Sequence, residues 1–259
     1  MDSQPTREAQ PAGPFESALT VLQRRSGARR LGTGNPELDV LIGGLEPGLF
    51  YLFYGSEDDG LPDGLLHRLL VEAVKEEGAR AVYLLCGNYR RSRTTMDSEL
   101  VLSHIEEAGL DAADALSRIH IICAFSERHL MRAPDLVEEI LEGYEGLTLV
   151  AAQQIAKIFY GKRAVRFEEP TEFTGMVSRL KAMCSERGVV LAATTRTSGR
   201  DGPIPAPEGG SYLRHAANTI VYLRASRKGT VTAYVVEHPN SARTGRKMNL
   251  GGEEPQWAG

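Results

Sequence analysis

The feature that most constrains the fold is an alternation of apolar, β-rich runs with helical patterns along most of the chain. The strand candidates are residues 49–54, 80–86, 118–123, 147–152, 189–194, 219–224 and 230–236. The helix candidates are residues 63–77, 97–108, 132–142 and 171–187. The first five strands are nearly continuous apolar runs separated by helices, which is typical of a parallel sheet covered on both faces. The sequence therefore predicts an α/β fold with a mostly parallel sheet flanked by helices.

The last two strand candidates follow a different pattern. They flank the short segment Ser226-Arg-Lys-Gly229, which has the composition of a hairpin turn. We therefore expect the sheet to finish with antiparallel strands at the C-terminal end.

Composition places the chain among ordinary globular proteins. Its 259 residues suffice for one large domain, with 42% hydrophobic and 25% charged residues. No apolar run approaches the roughly 20 residues that a membrane span needs, and the polar N-terminus lacks a signal-peptide core. The three cysteines, Cys86, Cys123 and Cys184, are far apart in apolar runs. They are expected to be free thiols in a reducing cytoplasm, and a metal or redox site is the alternative.

Domain organisation follows from these patterns. Residues 1–13 are expected to form a disordered tail, 14–30 a linker or oligomerisation segment, 31–250 the core and 251–259 a C-terminal tail. No cofactor and no metal are expected. The net charge of −4 means that any nucleic-acid contact depends on local basic patches.

One loop has the spacing of a phosphate-binding loop without its chemistry. Gly55 and Gly60 follow the first strand with G-x-x-x-x-G spacing, but Leu61 and Pro62 stand where Lys and Ser or Thr are required. The loop also carries acidic side chains: Glu57, Asp58, Asp59 and Asp63. A carboxylate about 5 Å from a phosphate repels it by roughly 3 kcal/mol at an effective dielectric constant of 20.

Several segments around this loop resemble one family. Leu31-Gly-Thr-Gly-Asn35, Leu38-Asp39, Gly43-Gly44 and Pro47-Gly48 come just before the loop. Gly209-Gly210, Leu213, His215-Ala216, Thr219, Tyr222-Leu-Arg224 and His238-Pro239 follow near the other end. In order and spacing these pieces are similar to the core of the RecA/RadA recombinases, archaeal RadA and its paralogues in particular. The resemblance runs from about Phe15 to Leu250 and implies a RecA-like core. The alternative is an unrelated α/β protein in which the glycine spacing arose by chance.

The resemblance implies that the parts needed for ATP hydrolysis are missing. Leu61 replaces the phosphate-binding Lys, and Pro62 replaces the hydroxyl that helps to hold Mg²⁺. Gly87 falls where the family has its catalytic Glu, and Ala151 falls near the metal-linked acid. We therefore expect neither ATP hydrolysis nor tight Mg-ATP binding.

Recombinases hold DNA on two loops, and the corresponding segments here contain cations and aromatic residues. The candidates for contact with single-stranded DNA are Lys157, Tyr160, Lys162, Arg163, Arg166, Arg196 and Arg200. The alternative is solvated surface charge on loops.

A segment ahead of the core resembles the family's polymerisation motif. Phe15 and Ala18 match its Phe-x-x-Ala pattern, which implies docking into a pocket on a neighbouring subunit. The pocket positions of this chain fall on His120 and Ile122, both larger than the family's alanines. The resemblance thus implies a chain that donates its Phe without accepting one. The alternatives are intrachain packing of the Phe15 segment, and a shifted strand that makes Ile122 an ordinary core residue.

The expected function is that of a non-catalytic RecA/RadA-like paralogue, an accessory or regulator in DNA recombination or repair. Its expected partners are a recombinase or related paralogue and single-stranded DNA. One alternative is a weak DNA-dependent ATPase completed by a partner's residues. Another is an RNA-linked scaffold similar to the RecA-fold subunits of Elongator.

Overall fold

The computed structural model describes residues 17–20, 27–56, 60–87, 96–160, 170–198 and 202–251. The described strands are β1 (Phe50–Gly55), β2 (Arg80–Cys86), β3 (Ile119–Ala124), β4 (Leu147–Gln153), β5 (Val190–Arg196), β6 (Thr219–Ala225), β7 (Val231–Glu237) and β8 (Lys247–Asn249). The described helices are α1 (Pro36–Ile42), α2 (Leu61–Ala73), α3 (Ser98–Glu107), α4 (Ala112–Ser117), α5 (Glu127–Met131), α6 (Ala133–Gly143), α7 (Lys157–Tyr160), α8 (Thr171–Arg187) and α9 (Gly210–Ala216).

The strands form one eight-stranded sheet in the order β3-β2-β4-β5-β1-β6-β7-β8. Strands β1 to β6 pair in parallel, and β7 and β8 add antiparallel strands at the end of the sheet. The predicted α/β class, with antiparallel strands at the C-terminal end, is confirmed. The predicted hairpin turn is confirmed as well, since the Ser226 N–H donates to the Thr230 carbonyl at 2.8 Å.

Helices cover both faces of the sheet and enclose two apolar clusters. Helices α1 to α4 pack on one face, and α5 to α9 pack on the other. Successive side chains of β1 alternate between these clusters, with Tyr51 and Phe53 on the first face and Phe50, Leu52 and Tyr54 on the second. Burial on both faces is the reason that the strands read as continuous apolar runs.

The carboxyl ends of the parallel strands define the edge of the sheet where ligands bind in folds of this kind. Helix α2 begins at this edge, after the loop that follows β1. Strand β5 lies beside β1, and β4 lies beside β5. The start of α2, which follows the loop predicted to resemble a phosphate-binding loop, therefore lies beside the ends of β4 and β5.

The described part of the chain contains no helix that is both long enough and apolar enough to cross a membrane.

Candidate functional site at the start of helix α2

The two glycines of the loop are required for different physical reasons. At Gly55, a Cβ atom would lie 2.9 Å from the Leu223 carbonyl oxygen and 3.1 Å from Pro62 Cγ, so β1, β6 and α2 approach too closely for a side chain. Gly60 caps α2 with φ of 62°, in the left-handed region that glycine adopts without strain. Residues 57–59, with three of the acidic side chains predicted to repel phosphate, lie outside the described residues.

Positions 61 and 62, where a phosphate-binding loop has Lys and Ser or Thr, lie in the protein interior. Leu61 is 1% exposed and packs in the cluster formed by α1 to α4. Pro62 is buried in the first turn of α2, where its missing N–H costs nothing because that group has no partner within the helix. The apolar pair thus contributes to the packing of α2 against the sheet.

Asp63, in the first turn of α2, accepts hydrogen bonds from three side chains at the ends of β4 and β5. Gln153 Nε2 donates to Oδ2 at 2.9 Å, and Gln154 Nε2 donates to Oδ1 and Oδ2 at 3.0 and 3.1 Å. The Thr194 hydroxyl donates to Oδ1 at 2.5 Å. The carboxylate therefore connects the start of α2 to both strands.

Gln154 has a strained backbone conformation, and hydrogen bonds to Thr194 and Asp63 hold it in place. Its φ of 53° makes it the one non-glycine residue with positive φ in the described ranges. Its N–H donates to Thr194 Oγ1 at 2.9 Å, while its side chain donates to Asp63. Such strain costs on the order of 1–3 kcal/mol and persists where the surroundings fix the conformation.

The hydrogen-bond network continues inward from Gln153. The Tyr83 hydroxyl donates to Gln153 Oε1 and lies 3.2 Å from His67 Nε2. Burial raises the pKa of Tyr83, and the nearby Asp63 carboxyl adds to this shift. Burial lowers the pKa of His67, against the opposing influence of Asp63 and Asp97. Both side chains therefore favour their neutral forms in this interior.

Of the remaining two positions predicted to have lost catalytic groups, Gly87 lies at the same edge of the sheet and Ala151 lies within a strand. Gly87 is buried just beyond β2, and its N–H donates to the Ala124 carbonyl at 3.1 Å. Ala151 is fully buried inside β4, paired with Tyr83 and Ala192. Because β4 continues to Gln153, the polar groups at its end are the two glutamines rather than an acid at position 151.

This arrangement sets what the site can do chemically. The donors that converge on the start of α2 bond to a carboxylate of the same chain, and that carboxylate would repel a phosphate placed beside it. Among the described residues, no group of three or more His, Cys, Asp or Glu side chains is placed to hold a metal ion. The site is an internal polar network that joins α2 to the sheet.

The described residues predicted to contact DNA all interact within the chain. Lys157 is only 9% exposed on the short helix α7. The Tyr160 ring packs edge-on against Phe173, with 5.5 Å between ring centroids. Arg196 forms a two-point ion pair with Glu208, whose Oε2 and Oε1 accept from Nε and NH2 at 2.9 and 3.0 Å. The other four candidates, Lys162, Arg163, Arg166 and Arg200, lie outside the described residues.

The predicted partner-binding positions lie at two places. Ala18 is exposed, and Phe15 lies outside the described residues. His120 and Ile122 share one face of β3, the strand at the edge of the sheet. Ile122 is 7% exposed and packs in the second cluster.

The His120 ring contacts a neighbouring aromatic residue and lies near a cation. It lies 4.5 Å from the Tyr144 ring, between centroids, and Arg80 NH1 is 3.4 Å from its Nε2. Partial burial, followed by the charge of Arg80, lowers the pKa of His120. Side chains of this chain therefore pack around the two positions that the resemblance assigns to a pocket.

The polar network itself was not predicted from the sequence. Asp63 was interpreted as a source of negative charge at the start of a helix, and Gln153, Gln154 and Thr194 were not considered as its partners. One signal was present in the sequence, since two adjacent amides, Gln153 and Gln154, follow an almost entirely apolar strand. Polar groups at the carboxyl end of a buried strand require partners.

A comparison of the sequence with models of known protein families finds no match.

Proposed function

We propose that this chain is a non-catalytic RecA/RadA-like paralogue that acts as an accessory or regulator in DNA recombination or repair. It would act by binding a recombinase-like partner, single-stranded DNA, or both. The ordered set of segments around the loop, described above, supports the relationship. The absence of lysine and hydroxyl from positions 61 and 62 supports a role without catalysis.

The observation that carries the proposal is the Asp63 network. A working nucleotide site in this position needs donors that remain available to phosphate and a cation that neutralises it. Here Gln153, Gln154 and Thr194 donate to Asp63, and Leu61 is packed in the core. The start of α2 thus joins this helix to the sheet, which supports a role without catalysis at this position.

The partner-binding part of the proposal concerns the N-terminal segment. Phe15 and Ala18 would dock on a recombinase subunit, as the resemblance implies. Ile122 and His120, which are packed within this chain, leave little room for an incoming phenylalanine at the edge strand. Forcing extra atoms into such packing costs typically about 1–3 kcal/mol, which is roughly tenfold to a hundredfold in affinity. The chain would therefore terminate a recombinase filament.

The DNA-binding part rests on the loop cations that lie outside the described residues. Lys162, Arg163 and Arg166 would supply most of the phosphate contacts, because Arg196 is paired with Glu208 and Lys157 is largely buried. Such binding is independent of base sequence and sensitive to salt.

The experiment is to measure recombinase filament length with wild-type protein, with Phe15→Ala and with Leu19→Ala. Leu19 is the control, since it is a neighbouring apolar residue with 62% exposure. Wild type and Leu19→Ala should shorten the filaments, and Phe15→Ala should not. Equal shortening by all three proteins, or long filaments of this chain alone that depend on Phe15, would refute the capping role.

A further inference from the structure

The two faces of β7 have different surroundings. Val231, Ala233 and Val235 face α1 and are at most 1% exposed. The side chains between them on the opposite face, Thr232 and Tyr234, stay partly exposed. One face of β7 therefore completes the core, and the other remains accessible.

Neighbouring strands extend this accessible surface, which we call the β6–β8 face. In the strand register, Tyr234 lies opposite Tyr222 on β6 and opposite Lys247 on β8. Thr232 lies opposite Arg224 and Asn249. The β6–β8 face consists of Arg224, Thr232, Tyr234, Lys247 and Asn249, together with Tyr222, which is only 8% exposed.

Charge on the β6–β8 face has a single sign. Arg224 and Lys247 are exposed on it, and none of its six residues is acidic. Glu237, the acidic residue of β7, ends that strand opposite Ile220, beyond a shift in the register between β6 and β7. Within the described ranges, neither cation forms an ion pair with an acidic residue.

A row of tyrosine rings fixes the aromatic part of the face. The Tyr54 and Tyr222 ring centroids are 5.1 Å apart, and those of Tyr222 and Tyr234 are 5.8 Å apart. Tyr54 is fully buried, and its hydroxyl donates to the Pro205 carbonyl at 2.8 Å. The row begins at the buried Tyr54 and ends at the partly exposed Tyr234. Contact with Tyr222 therefore holds the Tyr234 ring in one orientation in the absence of a ligand.

We propose that the β6–β8 face binds single-stranded nucleic acid, with a base stacked on Tyr234 and phosphates beside Arg224 and Lys247. A single strand offers flat rings and regularly spaced anions together, which matches a fixed aromatic side chain between two cations. Thr232 and Asn249 add hydrogen-bonding groups, and the Thr232 hydroxyl already donates to Asn249 Oδ1 at 2.8 Å. This site is separate from the loops considered under the proposed function, so the two assignments can fail independently.

The test measures binding of a fluorescent 15-nucleotide oligothymidylate, and of the matching oligouridylate, by anisotropy over a range of salt concentrations. Tyr234→Leu should weaken binding by about tenfold or more, because stacking on an aromatic ring is lost. Tyr234→Phe should bind like wild type, because the ring remains. The double variant Arg224→Gln with Lys247→Gln should reduce the salt slope by about 0.7 for each lost phosphate contact.

The matched control removes two cations elsewhere. Arg128→Gln with Arg132→Gln changes the net charge equally at exposed positions beside β3, at the opposite edge of the sheet. Seven strand spacings of about 4.8 Å place that edge roughly 34 Å from β8. This variant should retain the wild-type slope, and urea unfolding of every variant checks that the fold is intact.

Three results would overturn the assignment. The first is unchanged binding by Tyr234→Leu and by the Arg224/Lys247 variant. The second is loss of binding only when Lys162, Arg163 and Arg166 are neutralised, which would refute this face and leave the loop assignment standing. The third is binding of an oligoglutamate peptide with the same affinity as the oligonucleotides and without any effect of Tyr234→Leu. That result would make the face a site for acidic proteins.

Discussion

Helices α2 and α6 begin with the same local sequence pattern and have different surroundings. Each starts with an apolar residue, a proline and an aspartate: Leu61-Pro62-Asp63 in α2 and Ala133-Pro134-Asp135 in α6. Asp63 accepts from three side chains of β4 and β5. Asp135 is half-exposed and pairs with the equally exposed Arg179 at 2.7 Å.

The difference shows that the role of such an aspartate depends on the strands beside the helix. In both helices the pattern suits the first turn, where proline needs no N–H partner and an acid interacts favourably with the helix dipole. Of these two helices, only α2 follows a strand in the middle of the parallel sheet. Its first turn therefore contacts polar groups at the ends of two other strands.

The largest expected effect is on stability when each aspartate is replaced by alanine. Asp63→Ala should lower the free energy of unfolding by about 3 kcal/mol, because buried donors on β4 and β5 lose a charged acceptor. Asp135→Ala should lower it by no more than about 1 kcal/mol, because an exposed ion pair contributes little. Both variants lose the same dipole interaction, so the difference compares the buried network of Asp63 with the exposed ion pair of Asp135. Urea unfolding measures both values, and equal losses would contradict the role given to Asp63.

A smaller effect concerns the pH dependence of stability at the same helix. Burial lowers the pKa of His67 in the folded state below the ordinary value of 6.5, while Asp63 and Asp97 oppose and His104 reinforces this shift. As pH falls through about 6.5, the unfolded chain takes up a proton before the folded chain does. Stability should therefore decrease on acidification, with a slope of up to about 1.4 kcal/mol per pH unit from this histidine.

His67→Gln should reduce that slope, because glutamine does not titrate. The matched control is His129→Gln, which makes the same substitution at an exposed histidine on α5, next to the start of α6. The measurement is the urea midpoint between pH 7.5 and 5.5. An unchanged slope in His67→Gln would mean that another group determines the acid sensitivity.

Much of the fold could be predicted because buried elements have a recognisable apolar pattern in the sequence. Strands covered on both faces read as apolar runs, and β2 spans the same residues as its prediction, 80–86. Short helices were missed because they expose most of their surface and show little periodicity. Their capping residues were present, however, since Asn35 and Ser126 accept from the Leu38 and His129 N–H groups at the starts of α1 and α5. The three-residue strand β8 is too short to show alternation.

The candidate site was predictable in position and not in chemistry. The glycine spacing and the following helix placed the loop beside the carboxyl ends of the strands. The partners of Asp63 come from residues 90, 91 and 131 positions away in the chain, so only the parallel pairing of β1, β4 and β5 brings them together. The pairing of Arg196 with Glu208 has a different cause, since these residues are 12 positions apart and the two ends of their loop meet through backbone hydrogen bonds.

The central claim is that the start of α2 is an internal network and not a nucleotide site. The most direct measurement is a calorimetric titration of the wild-type protein with Mg-ATP. We predict no saturable binding below millimolar concentration, because Leu61 and Pro62 offer phosphate no cation or hydroxyl and Asp63 already holds the nearby donors. A micromolar dissociation constant for Mg-ATP would contradict the account.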